Sequence, residues 1–303
     1  MHKKNKTSKN IMALSAAFIW GTSFVAQSVG AESMPPAAFN TFRFIVAFAF
    51  LLIFCAIINF IREKNNIPSQ ANKKDPLYLK NLLTGGGLCG ICMAAAAFFQ
   101  QKGLETTSPG KAGFITSLYI VIIPVAELFM KKKPSKMFFL SIPLAVAGLY
   151  CLCVTESFSI VSGDIYILIC AFCFAGQILV IDRFTEKVNG TELSCVQFFI
   201  AAVLSTVIMF FTELPTAEGI LECAFPLLYL GIMASGVAYT LQILAQKDSD
   251  PTVISLLLSL ESVFAVLAGA GLLGDNMALR EYIGCVLMLF AVILAQITPR
   301  TSS

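Results

Sequence analysis

Apolar residues in this chain come in runs of about 20, each closed by a short polar joint. A run of that length lets an α-helix, rising ~1.5 Å per residue, cross a ~30 Å hydrocarbon layer. Ten such runs are predicted. They cover residues 10–29, 37–61, 81–100, 112–130 and 137–154 in the first half, and 164–182, 194–211, 224–242, 253–273 and 282–297 in the second. The joints carry Pro, Gly and charge, as at Pro35, Pro36, Pro109, Pro134, Pro215, Pro251 and Gly274. The longest, residues 62–80, is polar, and none is long enough to hold a soluble domain.

The pattern repeats. Gly90 answers to Gly231 and Gln101 to Gln242 at a separation of 141; Pro109 answers to Pro251 at 142; Ser141 and Gly148 answer to Gly284 and Ala291 at 143. This alignment asks for a gap of about four residues between Gly113 and Pro124. The expected fold is an all-α polytopic membrane protein of ten transmembrane helices, built as two five-helix repeats. Its segments are a cytoplasmic stretch 1–9, a first repeat 10–154, an outer loop 155–163, a second repeat 164–297 and a cytoplasmic tail 298–303. Five is odd, so the second copy runs opposite to the first. Inverted repeats are a recurring plan of secondary transporters, with the substrate held near the midplane between them.

Composition agrees: 57% of the 303 residues are hydrophobic, 13% are charged, and the mean hydropathy is +0.81. So few polar residues could not cover a soluble core of this size. The net charge of +3 says less than its distribution. With the N-terminus inside, 17 of the 21 Lys and Arg fall on the inner side, three (Lys102, Lys111, Arg280) on the outer, and Arg43 within a span. That bias places both termini in the cytoplasm of an inner or plasma membrane. The first apolar run is longer than a signal-peptide core and another span follows at once, so it reads as a retained membrane helix.

Several chemistries find no support. No GxxxxGK[ST] loop is present to cradle phosphates, and no His, Asp and Glu cluster has metal-ligand spacing. No cofactor is expected. His2 is the single histidine, so an acyl or lipid transferase lacks a catalytic constellation. Nearly all of the ten cysteines lie inside apolar runs, where they read as small packing residues despite the spacing of Cys89/Cys92 and Cys170/Cys173. The glycosylation sequon at Asn189 falls on the inner side.

Charges inside a membrane need a reason, because each costs roughly 2.5–3.5 kcal/mol at a helix centre on the insertion scale. Glu261 lies near the midplane, ~12 Å along the ninth span. It fits a proton or cation relay, a counter-charge for an amine, or a structural carboxyl bonded to a neighbouring helix. Arg43, ~9 Å inside the second span, fits a contact to a substrate carboxylate, a pair with Glu261, a helix-end carbonyl, or a side chain snorkelling outward. Glu127 is expected to pair with Lys131, Lys132 and Lys133 at the inner surface; Asp164, Asp182 and Arg183 read as interfacial caps.

Polar stripes follow helical spacing. Trp20, Ser23 and Gln27 share a face of the first span; Thr116, Tyr119 and Glu127 one of the fourth; Cys170, Cys173 and Gln177 one of the sixth; Ser235, Tyr239, Gln242 and Gln246 one of the eighth. Polar side chains also hold helices together in lipid, so each stripe has a structural reading too. The expected cavity-lining or substrate-binding set is Trp20, Ser23, Gln27, Arg43, Gln101, Tyr119, Gln177, Ser235, Tyr239 and Gln242, with Glu261 as the coupling residue. Small-residue stripes at Gly86, Gly90 and Ala94, and at Ser255, Ser259, Ser262 and Gly269, read as close-packing faces.

The segments IWGTSFVAQ (19–27), FRFIVA (42–47) and SLESVFAVL (259–267), together with the duplication, resemble the drug/metabolite transporter superfamily, in its ten-helix EamA-type branch. The resemblance covers almost the whole chain. It implies export or exchange of small metabolites, often amino acids or amines, without ATP. The usual family pattern has Pro after the Glu of the ninth span, where this chain has Ser262. The partners expected are a small-molecule substrate, the lipid bilayer and, for a coupled carrier, protons, with no nucleic acid; the chain would act as a monomer or homodimer. A lipid translocase or a sensor on the same scaffold are the rival readings.

Overall fold

A computed structural model describes residues 2–65, 75–107, 109–130, 138–153, 161–247, 249–268 and 278–297. Among these every regular element is helical: α1 (His2–Ser33), α2 (Pro36–Lys64), α3 (Pro76–Gly103), α4 (Pro109–Ser117), α5 (Tyr119–Phe129), α6 (Phe138–Cys153), α7 (Ser162–Phe184), α8 (Gly190–Phe211), α9 (Ala217–Glu222), α10 (Ala224–Tyr229), a π segment (Leu230–Ala238), α11 (Tyr239–Gln246), α12 (Pro251–Leu258), α13 (Glu261–Ala268) and α14 (Leu279–Ile297). Among the described residues seven stretches are long and apolar enough to cross a membrane: Pro36–Lys64, Pro76–Gly103, Lys111–Phe129, Ser162–Phe184, Gly190–Phe211, Ala224–Gln246 and Pro251–Ala268. The apolar Phe139–Leu152 is shorter, and α1 and α14 stand where the first and tenth spans are expected. The basic turn at Lys131–Lys133 and Lys136, Gly269, Gly274, most of the outer loop and the tail lie outside the described residues.

Local chemistry sets the helix starts. Asp75 accepts from Leu77 N ahead of Pro76, and Asp250 accepts from Thr252 N ahead of Pro251. Asn189 Oδ1 accepts from the N–H groups of Thr191 and Glu192 at the head of α8. Each satisfies amides that the helix leaves free, and proline is tolerated at the first helical position. Outward faces are apolar: Phe60, Phe129 and Phe211 are 66%, 86% and 87% exposed. In water such a surface would aggregate; in lipid it is solvated.

Packing between helices has a two-fold pattern. α3 lies against α7 and α8, and the matching segment of the second half, α10 to α11, lies against α1 and α2. α2 packs on α8, and α6 on α14, each pairing equivalent elements. Individual contacts repeat as well. A Cβ on Gly90 would stand 2.7 Å from Gln197 O and 2.6 Å from Ile200 Cβ; one on Gly231 would stand 3.0 Å from Arg43 O and 2.7 Å from Val46 Cβ. Gln197 and Ile200 follow Arg43 and Val46 by the same interval, so the two glycines serve equivalent crossings. Phe44 and Phe198, related by that interval too, meet each other with ring centroids 5.6 Å apart.

One expectation needs correction. α4 and α5 break at Leu118, and α12 and α13 break at Ser259 and Leu260, so α5 and α13 begin at Tyr119 and Glu261, positions 142 apart like Pro109 and Pro251. No gap of four residues is needed between Gly113 and Pro124: aligning Pro124 with Ser262 forces one, whereas the backbone keeps a constant offset. The repeats also do not pack as separate halves. α1 lies among elements of the second half, α11, α12 and α13, while α7 lies among α3, α4 and α5 of the first.

Candidate functional site

Where these two groups of helices face each other they enclose a central cavity with an empty volume of about 580 Å³, its opening included. From α1 it is lined by Trp20, Ser23 and Gln27; from α2 by Arg43; from α5 by Tyr119; from α7 by Gln177; from α11 by Tyr239 and Gln242; and from α13 by Glu261. Helical spacing carried these residues to one surface. The helix breaks matter equally, because they make Tyr119 and Glu261 the first residues of new helices.

Two expected residues stand one step away. Gln101 is buried and donates from Nε2 to Gln27 O at 3.4 Å, propping α1, while its neighbour Gln100 lines the cavity and reaches Thr116 Oγ1 at 3.4 Å. Ser235 is fully buried with its hydroxyl unpartnered, and Ala234 lines the cavity in its place. The π segment causes that second shift: its wider turn changes the phase that a 3.6-residue repeat predicts. Phe174 and Ile178 of α7, Leu230 and Leu258 complete the apolar part of the wall. Phe174 follows Trp20 by the interval that separates Gln197 from Arg43, so aligning the first two spans of each half would have found it.

Aromatic and amide groups are fixed by direct contacts. Trp20 Nε1 donates to Ala234 O at 3.0 Å, and its ring lies 4.6 Å from that of Tyr239. Tyr239 in turn packs against Phe198, with centroids 5.6 Å apart. Ser23 bonds back to Trp20 O. Gly21 admits α13 to α1, since a Cβ there would stand 2.7 Å from Glu261 O.

The two embedded charges do not pair. Arg43 is 5% exposed, so it does not snorkel; its guanidinium lies 4.9 Å from the Phe44 ring, within electrostatic range of Tyr239 and Cys170, and Nε has no partner. Glu261 is 7% exposed, and among the described residues it makes no ion pair. A single cavity thus holds a guanidinium and a carboxyl that are not neutralising each other.

Other charged residues are structural. Glu127 is buried, not at a surface, and accepts from Thr252 Oγ1 at 2.8 Å, tying α5 to the head of α12; its expected lysine partners lie outside the described residues. Asp164 caps α7 by accepting from Val161 N, and it also pairs with Lys111 and accepts from Thr107.

Comparison with known proteins fixes the class. The model of the EamA-like transporter family matches residues 7–154 and again 161–296. An uncharacterized transporter of Archaeoglobus fulgidus is 32% identical over 286 residues, covering 93% of this chain and 83% of its own. The uncharacterized transporter YwfM of Bacillus subtilis is 26% identical over 300 residues, covering 96% and 94%, and the inner membrane transporter YedA of Escherichia coli 24% over 291, covering 91% and 86%. A solved crystal structure superposes with a TM-score of 0.74 at 17% identity, over 96% of this chain and 98% of that one, which speaks for the fold alone. The chain belongs to the EamA-like transporter family, within the drug/metabolite transporter superfamily. It is a multi-pass membrane transporter.

Proposed function

We propose that this protein is a secondary transporter that exports or exchanges a small metabolite, an amino acid, an amine or a hydrophobic compound, by alternating access. In this reading ten spans cross the inner or plasma membrane with both termini in the cytoplasm, an orientation that the lysine and arginine bias supports. The observation that carries the reading is the central cavity, built from both repeats, in which Arg43 and Glu261 stay unpaired. Buried charges without partners are costly, and they persist where a ligand or a proton completes them.

The mobile bodies in this scheme mix the two repeats. One joins α1 to the α10–α11 segment, α12 and α13; the other joins α7 to α3, α4 and α5. Rocking one against the other alternates access to the cavity between them. Glu261 holds the coupling proton and Arg43 supplies the positive counterpart to a substrate acceptor.

Proteoliposomes loaded with mixed radiolabelled amino acids and amines test this, with and without a pH gradient, in the wild type and in Glu261→Gln. Gradient-driven flux that the substitution abolishes is the expected result. Flux indifferent to both gradient and substitution makes the protein a facilitator and Glu261 structural. Absence of flux for every compound overturns the small-metabolite reading in favour of a lipid substrate.

A further inference from the structure

Three amides form a chain that begins at the cavity and ends inside its wall. Gln242 and Gln177 line the cavity, and Gln197 lies behind them on α8, fully buried. Gln177 Nε2 donates to Gln197 Oε1 at 3.1 Å, and Gln242 Nε2 donates to Gln177 Oε1 at a looser 3.5 Å. Both links point the same way, so each carboxamide passes its polarity to the next. Two buried atoms at the ends have no partner: Gln197 Nε2 in the wall and Gln242 Oε1 on the cavity residue.

A carboxamide is close to symmetric in shape. Turning all three over would keep both links while exchanging donors for acceptors, and Gln242 would then carry a free NH₂ where it now carries a free carbonyl. Gln197 is the member of this chain that does not line the cavity.

We infer that Gln197 is a positioning residue that sets the polarity of the cavity. By accepting from Gln177 it leaves Gln242 Oε1 free as an acceptor. Gln27 Oε1 is likewise buried, unpartnered and on a cavity residue, and Glu261 lies in the same cavity. Three acceptors beside the rings of Trp20 and Tyr239 suit a hydrogen-bond donor with positive charge, a protonated amine. This rests on the cavity being the substrate site, and it adds which group of the substrate is selected and which buried residue enforces the choice.

Trp20 is the single tryptophan of the chain and lines the cavity, so its emission reports occupancy directly, without a transport assay. Purified full-length protein is titrated with phenethylamine, 2-phenylethanol and phenylacetate. The wild type is expected to bind the amine more tightly than the alcohol. Gln197→Met keeps the volume but removes the acceptor, and the preference for amine over alcohol should fall by about 10-fold, the loss of one charge-assisted hydrogen bond. Gln197→Glu retains an oxygen that accepts from Gln177 in either protonation state and should keep the wild-type preference. If the Met variant does not fold, Gln197→Asn, too short to reach Gln177, takes its place. A folded Met or Asn variant with unchanged preference overturns the inference, as does a Glu variant that loses the preference. Equal binding of amine and alcohol by the wild type overturns it as well, leaving the cavity reading intact. No saturable change with any of the three overturns the cavity reading itself, and this inference with it.

Discussion

Arg43 on α2 and Gln197 on α8 occupy matching places across the two repeats, and so do Tyr119 on α5 and Glu261 on α13, yet each pair holds one charged group and one neutral polar group. Around them the scaffold is the same: Gly90 and Gly231 make equivalent close crossings, and both broken spans restart at the same offset. Packing leaves little freedom where a backbone carbonyl lies within 3.0 Å of a would-be Cβ. Positions facing a cavity touch no fixed neighbour on one side and can diverge. The two repeats therefore stay alike where they are compressed and differ at the cavity and just behind it, where Arg43, Tyr119 and Glu261 line the wall and Gln197 stands behind them.

Making the two sides alike should break transport. Arg43→Gln copies Gln197 and should lower the initial rate in proteoliposomes by about 100-fold, the loss of a charge-assisted contact of about 3 kcal/mol. Next in size, Glu261→Tyr copies Tyr119; flux should cease to respond to a pH gradient. The scaffold gives a smaller and balanced effect. Gly90→Ala and Gly231→Ala should each cost about 1–3 kcal/mol in thermal or denaturant melting, because both force a Cβ onto a neighbouring helix. Losses that differ by more than about 2 kcal/mol would show that the two crossings are not equivalent. Smallest of all, Lys102→Ala removes an exposed ion pair with Glu105 and should shift stability by less than about 1 kcal/mol.

Much of this was legible in the sequence because a bilayer enforces simple rules. Apolar runs, polar joints and basic turns gave the order of helices, and the repeat gave Gly90 with Gly231 and Gln101 with Gln242. Spacing grouped Trp20, Ser23 and Gln27 on one face, and all three line the cavity, since α1 is unbroken there. It failed by one residue at Ser235, where the π segment changes the phase, and at Gln101, where two adjacent glutamines look alike. Which distant faces meet was not visible at all. Nothing in the residues around α1 says that it packs with α13 instead of its sequence neighbours, because lipid-facing and helix-facing apolar residues look the same on either side.

That exchange of α1 between repeats bears on how the protein is made. The first helix leaves the ribosome early, but the segments that make most of its packing begin only at Ala224, roughly 190 residues later; at about 5–20 residues per second the wait is ~10–40 s. During that interval Trp20 sits in lipid or against the insertion machinery without Ala234 O, which later accepts from its Nε1, or the Tyr239 ring it packs against. α7 meets its partners α3, α4 and α5 as soon as it appears. Biogenesis is thus lopsided in time although the finished molecule is nearly symmetric in space, and a nascent chain stalled before Ala224 would present an orphaned first helix to membrane quality control.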